Sequence, residues 1–154
     1  MYKINYTKLD YLLSQSAWKK ADIETRKIML EITGANQREE LLMTATDLQK
    51  FPCSELKIID KLWREASNER FGFHVIADIY KELDQDYLLL AKQVGWCNDG
   101  NWIKCEQINF TNDAPVGHLP ITWLVPSTFS GYWLARFASA GWRVLLKRII
   151  ECEC

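Results

Sequence analysis

Residues 54–66, SELKIIDKLWREA, contain the pattern that decides the fold class. Their apolar positions recur every three or four residues, which places them on one face of an α-helix. These positions are Leu56, Ile59, Leu62, Trp63 and Ala66. Charged residues occupy the opposite face, and Ser54 is a residue type that commonly caps a helix N-terminus. The stretch therefore predicts an amphipathic helix that begins after Ser54 and buries its apolar face.

The same spacing occurs on both sides of this stretch, over residues 6–95. Leu9, Leu12 and Leu13 form one stripe, and a second one ends before Gly34, a typical C-terminal helix stop. Further stripes cover residues 76–83 and 88–94. Alternating patterns typical of strands are almost absent, so the sequence predicts an all-α fold.

The helical pattern fails after Gly95. Residues 96–127 are rich in Trp, Gly and Pro, which predicts a long irregular loop. Helical spacing returns over 128–150, which predicts a terminal helix. With 154 residues and no visible linker, the chain is expected to form a single domain, 1–154.

Composition excludes several function classes. Nineteen basic and 20 acidic residues give a net charge of −1, which argues against nucleic-acid binding. Five cysteines, an odd number, predict free thiols in a reducing compartment. The sequence has no apolar run long enough to cross a bilayer and no recognisable targeting segment.

No catalytic or metal motif is visible. The sequence lacks a nucleophile elbow, a phosphate-binding loop and paired C-x₂₋₄-C elements, so we expect neither an enzyme nor a zinc protein. His118, in the sequence GHLP, is expected to form a hydrogen-bonded corner. His74 is expected to face solvent or another polar group. Asp22, Glu24 and Thr25 are expected to be helix-start residues.

Charge is unevenly distributed near the C-terminus. No carboxylate side chain lies between Asp113 and Glu151, yet the interval contains four cations among many aromatic residues. The cations are Arg136, Arg143, Lys147 and Arg148. Such an interval suits a flat apolar ligand with carboxylates at its rim. Two alternatives remain: a core helix with its cations in solvent, and a basic aromatic helix lying on anionic lipid.

Four motifs connect the sequence to a known family. They are WKKADIET (18–25), LKIIDKLW (56–63), Ser67 followed by RFGF (70–73), and PVGHLP (115–120). In order and approximate spacing they resemble the genomes-uncoupled-four family, the tetrapyrrole-binding regulators of magnesium chelatase in oxygenic phototrophs. The resemblance extends from about Tyr6 to Cys152.

The resemblance implies a cupped-hand helical domain with a long loop that closes over the ligand. The implied ligands are protoporphyrin IX and Mg-protoporphyrin IX, with bilins accepted by some members, and no cofactor is required. The implied partner is the porphyrin-binding large subunit of magnesium chelatase, which the protein would stimulate as a regulator or carrier in chlorophyll biosynthesis. We expect a monomer in a cyanobacterial cytoplasm or a plastid stroma, in peripheral contact with membranes at most.

The candidate tetrapyrrole-binding residues come from the palm motif, the loop and the terminal helix. They are Phe73, Val75, Trp123, Phe129, Trp133, Arg143 and Arg148. Arg148 resembles the family's propionate-pairing arginine, which a cysteine follows closely, and it is expected to be the principal partner. The chain departs from the family at FGFHVI, where the family usually has FGFSVQ, and His74 in this motif is a weak candidate for binding a porphyrin-bound Mg²⁺. The same module also occurs appended to larger signalling proteins, so porphyrin binding transfers better than chelatase stimulation. The alternative function is a signalling or protein-interaction module that keeps the fold without binding porphyrin.

Trp123 provides a first test of the ligand-covering loop. It lies three residues beyond Pro120, and we expect it to be partly exposed without ligand and quenched by bound porphyrin. Replacing Trp123 with Phe should remove a distinct share of the fluorescence quenching during a protoporphyrin IX titration. An unchanged quenching curve would place Trp123 away from the site.

Overall fold

The described part of the chain is mostly helical. A computed structural model describes residues 3–39, 41–122 and 133–152, and for residues 133–140 it describes the backbone alone. The α-helices in chain order are α1 (Thr7–Ser14), α2 (Trp18–Thr33), α3 (Ala45–Gln49), α4 (Cys53–Ala66), α5 (Phe73–Glu82), α6 (Tyr87–Gln93) and α7 (Trp133–Glu151). The predicted all-α class is confirmed. None of the helices in these described ranges is long and apolar enough to span a bilayer.

A buried aromatic group joins α2 to α4. Trp18 and Trp63 stack with ring centroids 6.0 Å apart, and Phe71 contacts Trp18 edge-on at 5.2 Å. The Trp63 indole N–H donates to the Thr25 hydroxyl at 2.9 Å, and that hydroxyl donates to the Ala21 carbonyl. Burial of each large ring stabilises the fold by about 1.5–3 kcal/mol, so this group fixes the two helices together.

Helix α4 begins two residues earlier than the sequence predicts. Pro52 occupies the N-cap position in an extended conformation, Cys53 is the first helical residue, and Ser54 lies within the first turn. Pro52 fixes its own φ at −61°, which starts the helix without a side-chain cap. The prediction of Ser54 as the cap was wrong, although the helix and its buried face were predicted correctly.

The irregular segment contains short elements and contributes to the core. Strands β1 (Cys97–Asn98) and β2 (Asn101–Trp102) form an antiparallel hairpin, and residues Cys105–Gln107 form a 3₁₀ turn. Buried apolar side chains among the described residues of this segment include Trp96, Ile103, Ile108, Ala114, Leu119 and Ile121. The segment up to Thr122 is therefore a packed layer, not an extended loop.

Helix α7 packs against α3 and α5. Trp142, Leu145, Leu146 and Ile149 are fully or almost fully buried, so one face of the helix lies in the core. The predicted range 128–150 agrees with the described helix from Trp133 onward, and 128–132 lie outside the described residues.

The prediction of free thiols was wrong for two cysteines. Cys53, at the start of α4, and Cys152, at the end of α7, form a disulfide with their Cα atoms 5.4 Å apart. They are separated by 99 residues, so only the fold brings them together. Among the described residues, Cys97 and Cys105 are free.

The N-terminus of α5 crosses close to α4 at Gly72. The Asp60 carboxylate, 2% exposed, accepts the His74 backbone N–H at 2.7 Å and pairs with Arg64 at 2.8 Å. Gly72 has φ +136°, and a Cβ there would lie 2.9 Å from Arg64 Cγ and 3.1 Å from Asp60 Oδ1. The crossing therefore requires a residue without a side chain.

Gly72→Ala should lower the free energy of unfolding by about 3 kcal/mol, because it adds backbone strain and crowds the buried carboxylate. Gly100→Ala is the matched control, since Gly100 also has a positive φ, +79°, but a Cβ there would meet no atom within 4 Å. That variant should lose only about 1 kcal/mol. Urea denaturation measures both, and equal losses would contradict the close approach at Gly72.

Candidate functional site

Two of the sequence motifs lie against each other in the fold. The Gly117 backbone N–H donates to the Arg70 carbonyl at 2.8 Å, and the Gly72 N–H donates to the Leu119 carbonyl at 3.1 Å. The Arg70 guanidinium Nε donates to the Ala114 carbonyl at 2.8 Å. The PVGHLP segment is thereby held along the RFGF segment at the start of α5.

Asp22 anchors the residues that follow PVGHLP. Its carboxylate is fully buried and accepts the backbone N–H groups of Ile121 and Thr122, each at 3.0 Å, and the Thr122 hydroxyl. Burial raises the pKa of Asp22 to about 6, against the opposing effect of these hydrogen bonds. The expectation that Asp22, Glu24 and Thr25 are helix-start residues was wrong, because α2 begins at Trp18 and all three lie beyond its first turn. Asp22 is instead a long-range anchor.

His118 forms the predicted hydrogen-bonded corner. Its side chain is buried; Nδ1 lies 2.7 Å from the Val94 carbonyl, and Nε2 accepts the Asn109 backbone N–H at 3.1 Å. An acceptor at Nε2 requires the proton to lie on Nδ1, so the imidazole is neutral. Burial lowers the pKa of His118, which also favours the neutral form.

Aromatic rings pack beneath α7. Trp142 is fully buried, with its ring 4.8 Å from Trp96 and 6.0 Å from Phe73, centroid to centroid. The Trp96 indole N–H donates to the His118 carbonyl at 2.9 Å. The ring group therefore connects α5, the PVGHLP segment and α7, and it holds the position of α7.

An aromatic pair on α6 and the hairpin contacts a cation of α7. Tyr87 and Trp102 stack with centroids 6.0 Å apart, and the Arg143 guanidinium lies 5.2 Å from the centre of the Tyr87 ring. This is within the range of a cation–π interaction. Arg143 is exposed, and no salt bridge between described residues involves it. Its N–H groups therefore have no carboxylate partner among the residues that the structure describes.

Arg148 has a different environment from Arg143. Its Nε donates to the Phe51 carbonyl at 2.9 Å, and a terminal nitrogen lies 3.4 Å from a Glu151 carboxylate oxygen. Arg148 therefore helps to hold the last turns of α7 to the residue that precedes Pro52. Its role as a propionate partner stays a prediction.

The other predicted site residues fall into three groups. Phe73 is buried against α7 and Val75 is half-buried on α5, so both lie in the part of the fold that supports α7. Trp123 and Phe129 lie outside the described residues, and Trp133 begins α7 with its side chain outside the description. His74 Nε2 lies 3.3 Å from Asp78, so this nitrogen faces a carboxylate.

Sequence reasoning missed Tyr87 and Trp102. Their stacking depends on the hairpin, which is too short to show an alternating pattern. One signal was available: Asp86 accepts the Leu89 N–H as an N-cap, and this marks Tyr87 as the first residue of α6.

The comparison with protein families identifies the chain. The model of the GUN4-like family matches residues 1–136. The chain belongs to the GUN4-like family.

This chain has relatives in algae, cyanobacteria and plants. It is 31% identical over 122 residues to the protein ycf53 of Pyropia yezoensis, covering 77% of this chain and 51% of that protein. It is 25% identical over 123 residues to the chloroplastic tetrapyrrole-binding protein of Arabidopsis thaliana, covering 73% and 46%. The chain thus spans about half the length of the curated relatives that it matches.

Two solved structures share the GUN4 fold with this chain. The ligand-free GUN4 of Arabidopsis thaliana has a TM-score of 0.76 at 20% identity, covering 94% of this chain and 95% of that one. GUN4 from Chlamydomonas reinhardtii has a TM-score of 0.73 at 24% identity, covering 98% and 90%. At these identities the likeness establishes the fold alone.

Because His118 is neutral in the folded protein, the free energy of unfolding depends on pH. Because its pKa is lower in the folded state, the unfolded chain takes up a proton first as pH falls below about 6.5. The wild-type free energy of unfolding should therefore fall between pH 7 and pH 5 relative to that of His118→Gln, measured by urea denaturation. Asp22 is present in both proteins and cancels in the comparison, so equal pH slopes would contradict a buried neutral His118.

Proposed function

We propose that this protein binds a porphyrin, protoporphyrin IX or Mg-protoporphyrin IX, beside the exposed side of α7 that carries Arg143. The observation that carries the proposal is the exposed Arg143 guanidinium over the Tyr87 ring, which stacks with Trp102, in a chain of the GUN4-like family. An exposed guanidinium beside stacked rings matches a flat aromatic ligand with carboxylates at its edge.

The ligand class follows from charge and ring chemistry together. A porphyrin presents an apolar face, which aromatic and aliphatic side chains cover, and propionates, which a guanidinium holds with two parallel hydrogen bonds. No carboxylate side chain lies between Asp113 and Glu151 in the sequence, and no salt bridge between described residues involves Arg143. The name of the Arabidopsis relative, a tetrapyrrole-binding protein, supports the same ligand class.

The biological role that we propose is the one implied by the family resemblance. The protein would act as a regulator or carrier in chlorophyll biosynthesis that stimulates magnesium chelatase, in a cyanobacterial cytoplasm or a plastid stroma. Bilins are a further ligand class. The role is binding and presentation of a tetrapyrrole, not catalysis. The family membership supports this role.

A protein-interaction module is the second candidate function. Leu88 and Leu89 are adjacent on α6 and are 56% and 45% exposed, which gives this helix an apolar outer surface. A module of this kind would keep the fold and lose specific porphyrin binding. Its porphyrin absorbance changes would match those produced by an unrelated protein with an apolar patch.

Arg143→Ala should weaken protoporphyrin IX binding about tenfold or more, a loss of about 1.4 kcal/mol, measured by the shift of the main visible absorbance band. Arg143→Lys should recover only part of the affinity, because an ammonium cannot reproduce the two-bond geometry. Arg148→Ala should have a smaller effect, since that guanidinium already bonds the Phe51 carbonyl.

Lys147→Ala is the matched control for loss of one exposed positive charge on the same helix, and it should bind normally. Far-ultraviolet circular dichroism checks that each variant keeps its helices. Equal affinity of the wild type for the dimethyl ester would contradict an arginine-paired rim. A larger loss of protoporphyrin IX affinity in Arg148→Ala than in Arg143→Ala would make Arg148 the principal propionate partner.

A further inference from the structure

The Cys53–Cys152 disulfide joins the start of α4 to the end of α7. Cys53 is the first residue of α4 and Cys152 directly follows the last residue of α7. Beside it, the Arg148 guanidinium donates to the Phe51 carbonyl, and the Cys152 N–H donates to the Arg148 carbonyl. The last turn of α7 is therefore attached to residues 51–53 by one covalent bond and one side-chain hydrogen bond.

We propose that this disulfide is a site of thiol–disulfide exchange through which a dithiol reductant controls the attachment of α7 and, with it, the affinity for tetrapyrrole. The control of tetrapyrrole affinity rests on the proposed function. The exchange at the disulfide does not, and it is tested on the protein without ligand.

The geometry favours attack at Cys53. Cys53 is a partly exposed residue, whereas Cys152 is only 7% exposed, so a reductant thiolate approaches the bond from the side of Cys53. Attack forms a mixed disulfide at Cys53 and breaks the Cys53–Cys152 bond, and its electron pair leaves on the Cys152 sulfur, which takes up a proton. The second thiol of the reductant then displaces Cys53 and closes a cyclic disulfide. The protein gains two electrons and two protons, and the dithiol loses them.

The position of Cys53 also favours the second step. A thiolate at a helix N-terminus is stabilised by the positive end of the helix dipole, which makes Cys53 a good leaving group. Helix α4 has 14 residues and Cys53 is the first of them. The partial exposure of Cys53 and its position at the start of α4 thus both favour exchange at this residue.

The disulfide couples to the candidate ligand site through α7. Arg143 and Arg148 lie on this helix, and the buried Trp142 lies next to Arg143 in sequence. In the oxidised protein the far end of the helix is fixed, so the cations are held in position before a ligand arrives. Reduction removes the covalent attachment and leaves the Arg148–Phe51 hydrogen bond and the packing of Ile149, so the end of the helix is less constrained and ligand binding must restrict it further.

The first arm of the experiment measures the protein without ligand. Dithiothreitol should lower the melting temperature of the wild type by about 10 °C, because the disulfide closes a loop of about 100 residues. It should also expose two more thiols to iodoacetamide, assigned by mass spectrometry to Cys53 and Cys152. Cys53→Ser should melt like the reduced wild type and show no further response to dithiothreitol.

Cys105→Ser is the matched control, because Cys105 is also partly exposed but is a free thiol. It should keep the full response to dithiothreitol. Cys53→Ser is preferred to Cys152→Ser because Cys154, two residues later in sequence, could replace Cys152 as the partner of Cys53. An unchanged melting temperature in the reduced wild type, or labelling of both cysteines before reduction, would overturn the exchange site.

The second arm titrates protoporphyrin IX into the oxidised and reduced wild type and into Cys53→Ser. Reduction should weaken binding at least threefold, and Cys53→Ser should bind like the reduced protein. Equal or tighter binding after reduction would overturn the coupling, even if the exchange site is confirmed by the first arm. Absence of specific binding in both states would refute the proposed function and the coupling, and the melting and labelling results would still decide the exchange site.

Discussion

The buried carboxylate of Asp22 determines how the two halves of the chain fit together. A carboxylate removed from water costs several kcal/mol unless donors surround it, and Asp22 accepts from the backbone and side chain of residues 121–122. Helix α2 therefore fixes where the chain passes after Pro120. Upstream of this point the PVGHLP segment runs along residues 70–72 and forms the layer on which Trp96 and Trp142 pack.

Asp22 and His118 respond to pH in opposite directions. The folded pKa of Asp22 is raised from 3.8 to about 6, so its contribution to stability is greatest at low pH and falls as pH rises through this window. The folded pKa of His118 is lowered, so its contribution is complete above about 6.5 and falls as pH decreases. Because both groups hold the same layer, each offsets part of the pH dependence of the other.

The sequence predicted features that depend on local periodicity. Helices α2, α4 and α5 follow from apolar stripes, and Gly34 ends α2 in the expected left-handed conformation. The five-residue α3 was missed, since its capping box of Thr44 and Asp47 precedes too short an apolar pattern. Asp22, the Cys53–Cys152 bond and the Tyr87–Arg143 contact were missed for another reason. Their partners lie roughly 56 to 100 residues away in the chain, and neither propensity nor spacing encodes such pairings.

The two arginines of α7 show how one helix can serve both structure and binding. Arg143 and Arg148 are five residues apart, so on a straight helix they point about 140° away from each other and cannot share a face. Core packing of Leu145, Leu146 and Ile149 sets the rotation of the helix. That rotation directs Arg148 toward the Phe51 carbonyl and leaves Arg143 over the Tyr87 ring with its N–H groups accessible. These buried residues therefore decide which guanidinium bonds the Phe51 carbonyl and which one lies exposed over the Tyr87 ring.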